Sequence, residues 1–376
     1  MKIGILSLVY QNWNFGGLLQ GYALEQTVRK FEKDASQLRV SRTEIDNSLK
    51  GRLMYIAKGN KPMADFIERV KALKDKRDLR NFRRFQRDYI GFEQYYNSKT
   101  IFKANKVYDC FIAGSDQIWN PKKFGKNVVS MFGLMFANRN KKKIAYAASV
   151  GAEQAIEQNQ DLFRAILDNL DYISVRELTA RDILQKYTEK KVELVLDPTL
   201  LLESKEWSGI SVKPEGHGEY IFSYFLRERQ NMHDNQMKSI ANIINRKHLC
   251  ISDDLGCYVR EGDVQISDAG PCEFIGYIQN STMVFTNSFH GMVFSIMFHR
   301  PFWVFLRNKT SDVKSMNNRV VDFLKMLGLE NRIISDGALP DLEALNTPID
   351  FEKTDEILSA KRSESMVWLE HAIHAE

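Results

Sequence analysis

Short apolar runs alternate with segments of helical periodicity along most of this chain. In the first half, the apolar runs predict strands at 3–9, 108–113, 144–148, 172–175 and 192–196. Apolar side chains at helical spacing predict helices at 18–31, 154–169 and 177–187. Strands that alternate with helices are typical of a parallel sheet whose two faces are both covered.

The same alternation starts again after a segment with Pro and Gly at 213–218. It predicts strands at 220–226, 283–286 and 302–306, and helices at 236–246, 273–279, 292–298, 320–327 and 355–371. We therefore predict the α/β class, with two Rossmann-like domains that face a central cleft. The first domain would span residues 1–212 and the second 213–350, and residues 351–376 would form a helix that packs back on the first domain.

A basic segment interrupts the first domain at about 52–96, where we expect a helical insertion. Its centre, residues 68–87, carries nine Lys or Arg side chains against three acids, and Phe66, Val70, Phe82 and Phe85 recur at helical spacing. One hypothesis is an arm that meets an anionic membrane or a lipid-linked diphosphate substrate. The alternative is a helical segment that packs its aromatic side chains on the domain and exposes its charges to solvent, because runs of charge usually face water.

Composition favours a globular enzyme. The chain has 376 residues, of which 44% are hydrophobic and 27% are charged, and this length suits two domains. The net charge of +5 is mild, so it indicates an anionic ligand and gives no reason to expect a nucleic acid partner. Cysteines at 110, 250, 257 and 272 show no CxxC spacing, so we expect reduced thiols and no structural zinc.

The first residues enter a strand-like run and lack the zones of a secretory signal. The longest apolar stretch, 292–306, is interrupted by His299, Arg300 and Pro301, so it is too polar to span a membrane. We expect a cytoplasmic protein, with the inner face of the membrane as an alternative location if the basic segment binds lipid.

The common nucleotide, metal and hydrolase motifs are absent from the sequence. There is no GxGxxG, no P-loop, no HExxH, no GxSxG and no Asp-x-Asp pair. The chemistry must therefore come from other residues.

Residues 285–291, Phe-Thr-Asn-Ser-Phe-His-Gly, are expected to end a strand and begin a helix. His290 would lie at the carboxyl end of the strand and at the helix N-terminus, where α/β sheets bind ligands and anions are favoured. A histidine there can exchange a proton near neutral pH, or it can simply cap the turn. Asn287 and Ser288 lie beside it.

A second polar cluster, at 115–120, follows the strand predicted at 108–113. There Asp116 could accept a proton from a sugar hydroxyl, while Gln117 and Asn120 hold neighbouring hydroxyls and Trp119 stacks on the sugar ring. Ser115 belongs to the same turn. The alternative is that Asp116 only caps the turn.

Three more sequence features follow predicted strands. Asn14, Gly16 and Gly17 come after the first strand, where paired glycines let backbone N–H groups approach a ligand or form an ordinary tight turn. Arg176 follows the strand at 172–175, and its planar fork suits a carboxylate or phosphate of a ligand, or an acid of the protein itself. Lys314 and Arg319 follow the strand at 302–306, and they face either the same cleft or solvent.

These motifs, in this order, resemble the polysaccharide pyruvyl transferase family. The resemblance rests on Gly4-Ile5 with 14–17, 114–120, 174–177, 197–199 and 287–291, and runs from about residue 1 to about residue 330. It implies a GT-B-like fold and the transfer of pyruvate from phosphoenolpyruvate onto a hexose as a cyclic ketal, with release of phosphate. The acceptor would belong to a surface polysaccharide or a lipid-linked repeat unit, with galactose-type sugars as candidates, and no metal or cofactor is implied.

By the same resemblance, Arg176 would clamp the donor and His290 would act as general acid or phosphate ligand. Asp116 as the base toward the acceptor is our own inference. The other expected donor contacts are Asn287, Ser288, Lys314 and Arg319. The expected acceptor contacts are Asn14, Gly16, Gly17, Ser115, Gln117, Trp119 and Asn120.

The chain departs from the family at one position. Some members have an arginine two residues before the histidine, where this chain has Ser288. Either another cation, such as Lys314 or Arg319, supplies that charge, or the donor contacts differ. Two other functions stay open: a GT-B-like glycosyltransferase that uses a sugar nucleotide, and a non-catalytic module that binds anionic saccharides or lipid head groups.

Overall fold

The computed structural model describes residues 1–41, 78–151, 154–226, 230–252, 260–307, 318–334 and 339–375. In this part of the chain, thirteen strands form two sheets. The first sheet contains β1 (Ile3–Leu6), β2 (Ala35–Val40), β3 (Phe92–Tyr96), β4 (Cys110–Asp116), β5 (Lys142–Ala148), β6 (Tyr172–Val175) and β7 (Val192–Leu194). The second contains β8 (Tyr220–Phe225), β9 (Lys247–Ser252), β10 (Val264–Ile266), β11 (Met283–Thr286), β12 (Phe302–Phe305) and β13 (Ile333–Ile334).

Helices connect the strands and cover the sheets. Those of the first half are α1 (Phe15–Phe31), α2 (Arg80–Tyr89), α3 (Pro121–Phe132), α4 (Gln154–Glu157), α5 (Gln160–Asn169), α6 (Leu178–Leu184) and α7 (Ser204–Ser208). Those of the second half are α8 (Gln230–Ile244), α9 (Pro271–Gln279), α10 (Phe289–Met297), α11 (Asn318–Leu327), α12 (Leu342–Asn346) and α13 (Phe351–His374). Short 3-10 turns occupy Ile101–Lys106, Gln185–Tyr187, Pro198–Leu200 and Glu330–Arg332.

Both sheets are parallel throughout and have Rossmann-like topology. The strand order is β3-β2-β1-β4-β5-β6-β7 in the first sheet and β10-β9-β8-β11-β12-β13 in the second. The strand order changes direction between β1 and β4, and again between β8 and β11. The carboxyl ends of strands at such switch points form a crevice that binds ligands in open α/β sheets. The predicted α/β class with two Rossmann-like sheets is confirmed.

A shared hydrophobic core joins the two sheets. Phe15 of α1 stacks on Phe274 of α9 with ring centroids 4.7 Å apart. Trp207 of α7 meets Phe294 of α10 edge-on at 4.9 Å. Because these buried rings come from both halves of the chain, they set the spacing between the sheets and hence the width of the crevice between their carboxyl edges.

The last helix, α13, lies against the first sheet. Lys142 of β5 donates a hydrogen bond from Nζ to the Ile373 carbonyl at 3.0 Å. The Ser365 hydroxyl accepts from the Leu196 backbone N–H at 3.0 Å, and Trp368 packs on Tyr146 at 6.1 Å. The segment 211–219 contains no helix or strand and leads from α7 into β8.

The predicted helical insertion at 52–96 needs a correction. Residues 52–77 lie outside the described residues. Of the rest, Arg80–Tyr89 is the helix α2, which buries Phe82 and Phe85, whereas Phe92–Tyr96 is β3, the edge strand of the first sheet. The strand was not predicted because Glu93 and Gln94 at its centre face solvent, which hides the apolar alternation.

Three of the four arginines of α2 have acidic partners. Arg80 pairs with Asp78 at 2.6 Å, Arg87 pairs with Asp88 at 2.6 Å, and Arg84 pairs with Glu273 of α9. These contacts offset the positive charge that the sequence concentrates here. None of the helices in the described part of the chain is both long enough and apolar enough to cross a membrane.

The cysteines differ from expectation. Cys110 and Cys272 are free and buried, but Cys250 is disulfide-bonded. The expectation that all four cysteines are reduced is therefore wrong.

Candidate functional site

A cavity of about 180 Å³ lies where the switch points of the two sheets meet. The first sheet contributes residues that follow β1 and β4, and the second contributes residues that follow β8, β11 and β12. Twelve residues line it: Leu8, Asn12, Asn14, Asp116, Gln117, Lys123, Leu226, Ser288, Phe289, His290, Arg307 and Arg319. Because both sheets supply its walls, the cavity depends on how the two halves pack together.

His290 lies in the first turn of α10, at the carboxyl end of β11. Ser288 is the N-cap of this helix, and its hydroxyl accepts from the Gly291 N–H at 3.5 Å. The His290 side chain is 9% exposed, and its Nε2 is 3.7 Å from Oδ1 of Asp197, beyond hydrogen-bond distance. Among the described residues Nε2 has no hydrogen-bond partner. Nε2 is therefore left to form a hydrogen bond with a ligand.

The imidazole packs directly on the first turn of α1. A Cβ placed on Gly16 would lie 1.9 Å from Nδ1 of His290, so only glycine fits there. Asn14 caps α1 by accepting from the Gly17 N–H at 2.9 Å. The predicted tight turn at 14–17 is thus the start of a helix, and the N-termini of α1 and α10 meet at the histidine. Both helix dipoles favour negative charge there.

A buried ion cluster lies under the histidine, with Arg176 at its centre. The guanidinium, 2% exposed, contacts Asp116 at 3.0 Å, Glu177 at 3.5 Å and Asp197 through Nη1. Asp197 also accepts hydrogen bonds from the N–H and the hydroxyl of Thr199, at 3.0 and 2.7 Å. Since three carboxylates of the protein saturate Arg176, the side chain does not have the free fork that a donor clamp requires.

The charges of this cluster control its protonation. Burial raises the pKa of Asp116, but Arg176, Lys123, His290 and Arg319 together outweigh burial and hold the pKa of that carboxyl well below its usual range. Burial also raises the pKa of Asp197, but the opposing effects, first of Arg176 and then of His290, leave that pKa lowered. Burial raises the pKa of Glu177, against the opposing effect of Arg176. Because its pKa is held low, Asp116 is a weak base. Its backbone is in the left-handed region, with a φ of 64°.

Cationic side chains form part of the wall of the cavity. Lys123, Arg307 and Arg319 all line it, beside His290. Burial lowers the pKa of Arg319 to about 10, together with the positive charges of Arg176 and Arg307. Within the described part of the chain, its Nε has no hydrogen-bond partner. An anion in the cavity would neutralise this group and satisfy its donor.

The structure brings together only part of the predicted site. Asn14, Asp116, Gln117, Ser288, His290 and Arg319 line the cavity. Arg176 lies below it, Gly16 lies against the histidine and Gly17 against Asn12. Lys314 lies outside the described residues.

Four predicted contacts are placed differently. Trp119 is fully buried and donates from Nε1 to the Phe132 carbonyl, so it cannot stack on a sugar. Ser115 is also buried, and its hydroxyl donates to the Ala147 carbonyl at 2.9 Å. Asn120 caps α3, and the Asn287 amide bonds both backbone groups of Leu226. These side chains hold the loops instead of facing the cavity.

Sequence reasoning missed Asn12, Lys123, Asp197 and Arg307 as site residues. Arg307 closely follows β12, so its position at the carboxyl end of a strand was a usable signal. Asp197 was noted only as part of a motif, and nothing local shows its pairing with Arg176. No group of three or more His, Cys, Asp or Glu side chains that could hold a metal ion exists among the described residues.

The fold is similar to solved structures of sugar-nucleotide enzymes. A UDP-N-acetylglucosamine 2-epimerase from Rickettsia bellii aligns over 100% of this chain and 98% of its own, with a TM-score of 0.52 and 10% identity. A protein described as the same epimerase from Listeria monocytogenes aligns over 99% and 91%, with a TM-score of 0.51 and 10% identity. These likenesses show the GT-B-like fold that was predicted, and the fold alone.

A comparison with curated proteins found no match. The family model described as polysaccharide pyruvyl transferase matches residues 14–309, a span that begins at the N-cap of α1 and includes Asp116, Arg176, Asp197 and His290. The chain therefore belongs to the polysaccharide pyruvyl transferase family.

Proposed function

We propose that this protein transfers the pyruvyl group of phosphoenolpyruvate onto two hydroxyls of a hexose in a surface polysaccharide or its precursor, as a cyclic ketal. The observation that supports this most directly is the cationic cavity between the sheets. It combines Arg307, Arg319 and Lys123 with the N-termini of α1 and α10. Phosphoenolpyruvate carries a phosphate and a carboxylate, and such groups favour this surrounding.

In this proposal Arg319 and Arg307 replace Arg176 as the donor-binding cations. They also supply the charge that family members obtain from the arginine at the position of Ser288. Ser288 and Arg307 line the same cavity, which supports the exchange. Arg176 instead keeps Asp116 and Asp197 ionised and in place beneath the histidine.

His290 is proposed to supply the proton that starts the reaction. The proton passes from Nε2 to the methylene carbon of phosphoenolpyruvate, and a hexose hydroxyl forms a bond to the adjacent carbon. The bond from that carbon to the phosphate oxygen then breaks, and the second hydroxyl attacks the same carbon to close the ring. Of the two hydroxyl protons released, one restores His290 and the other leaves with the phosphate, so protons balance.

Asp197 has a positioning role in this scheme. Its ionised carboxylate lies 3.7 Å from Nε2 and orients the imidazole in the cavity. Asp116, whose pKa is held low, is a poor acceptor of a hydroxyl proton, so we withdraw it as the general base.

The decisive experiment is calorimetric titration of phosphoenolpyruvate into the wild-type protein and into His290→Gln and Arg319→Gln. We expect binding to the wild type, strong weakening in Arg319→Gln, and retained binding with lost phosphate release in His290→Gln once an acceptor is present. Binding of a sugar nucleotide in place of phosphoenolpyruvate would favour the glycosyltransferase alternative. Full cellular function of His290→Gln would favour the non-catalytic binding module.

A lipid-linked acceptor and contact with the inner face of the membrane belong to the same proposal. They rest on the basic segment, most of which lies outside the described residues. Sedimentation with anionic vesicles at low salt tests the contact. The proposed membrane contact would be overturned if the protein did not sediment with such vesicles and kept its activity after deletion of residues 52–77.

A further inference from the structure

A second and larger cavity, of about 520 Å³, lies beside the cationic one. Its walls come from α6, the residues after β7, α11 and α13. The volume lies within the range of roughly 300–1000 Å³ that is typical of small-molecule sites. Neither the proposed donor nor its phosphate needs this space.

The two cavities meet at two side chains. Phe289 and Arg319 line both of them. The Phe289 ring lies between two guanidinium groups, with Arg176 5.3 Å and Arg319 5.9 Å from its centroid. Asp197, which faces His290, lines the larger cavity. The larger cavity therefore adjoins the cationic one, beside the carboxylate that faces the histidine.

The lining of the larger cavity combines apolar faces with charged groups. Leu178 and Leu194 are 39% and 41% exposed, and they give the cavity an apolar rim on its exposed side. Phe323 packs on Phe289 at 5.7 Å. Asp322 and Lys325, neighbours on the same face of α11, supply a carboxylate and an ammonium group. A hexose offers the matching chemistry, with C–H faces for apolar side chains and hydroxyls for charged ones.

Much of the larger cavity lies outside the family match. The family match ends at residue 309, whereas seven lining residues follow it: Arg319, Asp322, Phe323, Lys325, Met326, Lys361 and Ser365. The cationic cavity has three of its twelve lining residues outside the match: Leu8, Asn12 and Arg319. The larger cavity therefore takes a larger share of its walls from residues outside the match.

We propose that the larger cavity is the binding site for the acceptor saccharide, and that Asp322 and Lys325 select among acceptors. This inference rests on the proposed function for the identity of the donor. It assigns the smaller cavity to the donor and the larger one to the hexose, with the two ligands meeting where Phe289 and Arg319 line both cavities.

The test blocks the larger cavity from its exposed side. Leu194→Trp and Leu178→Trp add bulk at exposed positions and leave the cationic cavity unchanged. Val367→Trp, at a 66% exposed position of α13 that lines neither cavity, is the matched control. Binding of the methyl glycosides of galactose, glucose and mannose is measured by saturation-transfer NMR with phosphoenolpyruvate present, and phosphoenolpyruvate binding is measured by calorimetry.

We expect at least one glycoside to bind the wild type and Val367→Trp, and to bind about tenfold more weakly to both blocked variants because the tryptophan clashes with it. Phosphoenolpyruvate affinity should stay the same in all four proteins. The proposal is overturned if none of the three glycosides binds the wild type, or if binding survives in both blocked variants. If glycosides behave as expected but phosphoenolpyruvate does not bind, the saccharide site stands and the proposed donor fails.

For selection among acceptors, Asp322→Asn and Lys325→Met are compared over the same three glycosides. We expect the ratio of their affinities to change, with phosphoenolpyruvate binding unchanged. An unchanged ratio of affinities would show that these two residues do not select the acceptor.

Discussion

Gly16 and His290 touch across the junction of the two sheets. The ring lies where a side chain at position 16 would begin, with Nδ1 only 1.9 Å from an ideal Cβ. The first helix of one sheet thereby fixes the position of a side chain that the other sheet supplies. The geometry of the histidine consequently depends on the packing of the two halves and on the absence of a side chain at one position.

Gly16→Ala should impair the chemistry more than the fold. The added methyl group must displace the imidazole, and a misplacement of about 1 Å at a reacting group can cost about a hundredfold in rate. We expect kcat to fall on that order while the far-UV circular dichroism spectrum stays unchanged. Gly209→Ala, where the new Cβ would meet the Glu206 and Lys205 carbonyls at 3.3 and 3.7 Å, is the control. Equal activity of the two variants would show that His290 does not need its present position.

Arg319→Gln should weaken the donor complex without destabilising the protein. The side chain is a partly buried cation whose Nε makes no hydrogen bond to the described residues, and the positive charges of Arg176 and Arg307 disfavour its own charge, so its removal should cost the fold little. Loss of charge-assisted hydrogen bonds to an anion costs about 1.5–3 kcal/mol, or roughly tenfold to a hundredfold in affinity.

The measurements for Arg319→Gln are calorimetric titration with phosphoenolpyruvate and urea unfolding. Arg246→Gln, which removes a half-exposed arginine paired with Glu219 on the surface, serves as the control. Unchanged phosphoenolpyruvate affinity in Arg319→Gln would exclude this arginine as a donor contact.

Arg176→Met should instead lower the free energy of unfolding. The variant leaves Asp116, Glu177 and Asp197 without their shared cation, and breaking a buried ion cluster in this way costs about 3–5 kcal/mol. Arg176→Lys should recover only part of this loss, because one ammonium cannot bridge three carboxylates as the planar fork does. Urea unfolding followed by tryptophan fluorescence measures the difference. A variant with normal stability and lost donor binding would restore the original clamp hypothesis.

The position of the site was predictable because its signal is local. An apolar strand followed at once by polar residues marks the carboxyl edge of a sheet, and this rule found His290 and Asp116. The same rule could not tell which way each side chain points. Trp119 faces the core and Ser115 bonds Ala147, because the path of the loop after β4 decides their directions.

Partners that are distant in sequence could not be predicted. Arg176 and Asp197 follow different strands, and only the sheet order places them together. Strand β2 was missed for a related reason: Gln37 breaks its apolar pattern, yet the side chain is buried and satisfied by Ser7 and the Gly21 carbonyl. Such polar residues look like loop residues until their tertiary partners are known.

Glu25, on the helix that positions Gly16, should make stability depend on pH. Its side chain is fully buried, contacts Arg29 at 2.8 Å and accepts from the Gly91 N–H at 3.2 Å. Burial raises its pKa to about 7, against the opposing effects of Arg29 and Gly91. In the unfolded chain a glutamate has a pKa of about 4.3, so between these values the folded state binds more protons than the unfolded state.

The free energy of unfolding contributed by Glu25 must therefore decrease as pH rises from about 4.3 to about 7, and level off above that range. Glu25→Gln keeps the acceptor for Gly91 and removes the ionisation. We expect the variant to match the wild type near pH 5 and to become the more stable protein by pH 8, as measured by urea unfolding at half-unit pH steps. Glu364→Gln, which removes a surface partner of Lys361, should run parallel to the wild type across the whole range. A constant difference between Glu25→Gln and the wild type from pH 5 to pH 8 would mean that Glu25 stays ionised inside the protein.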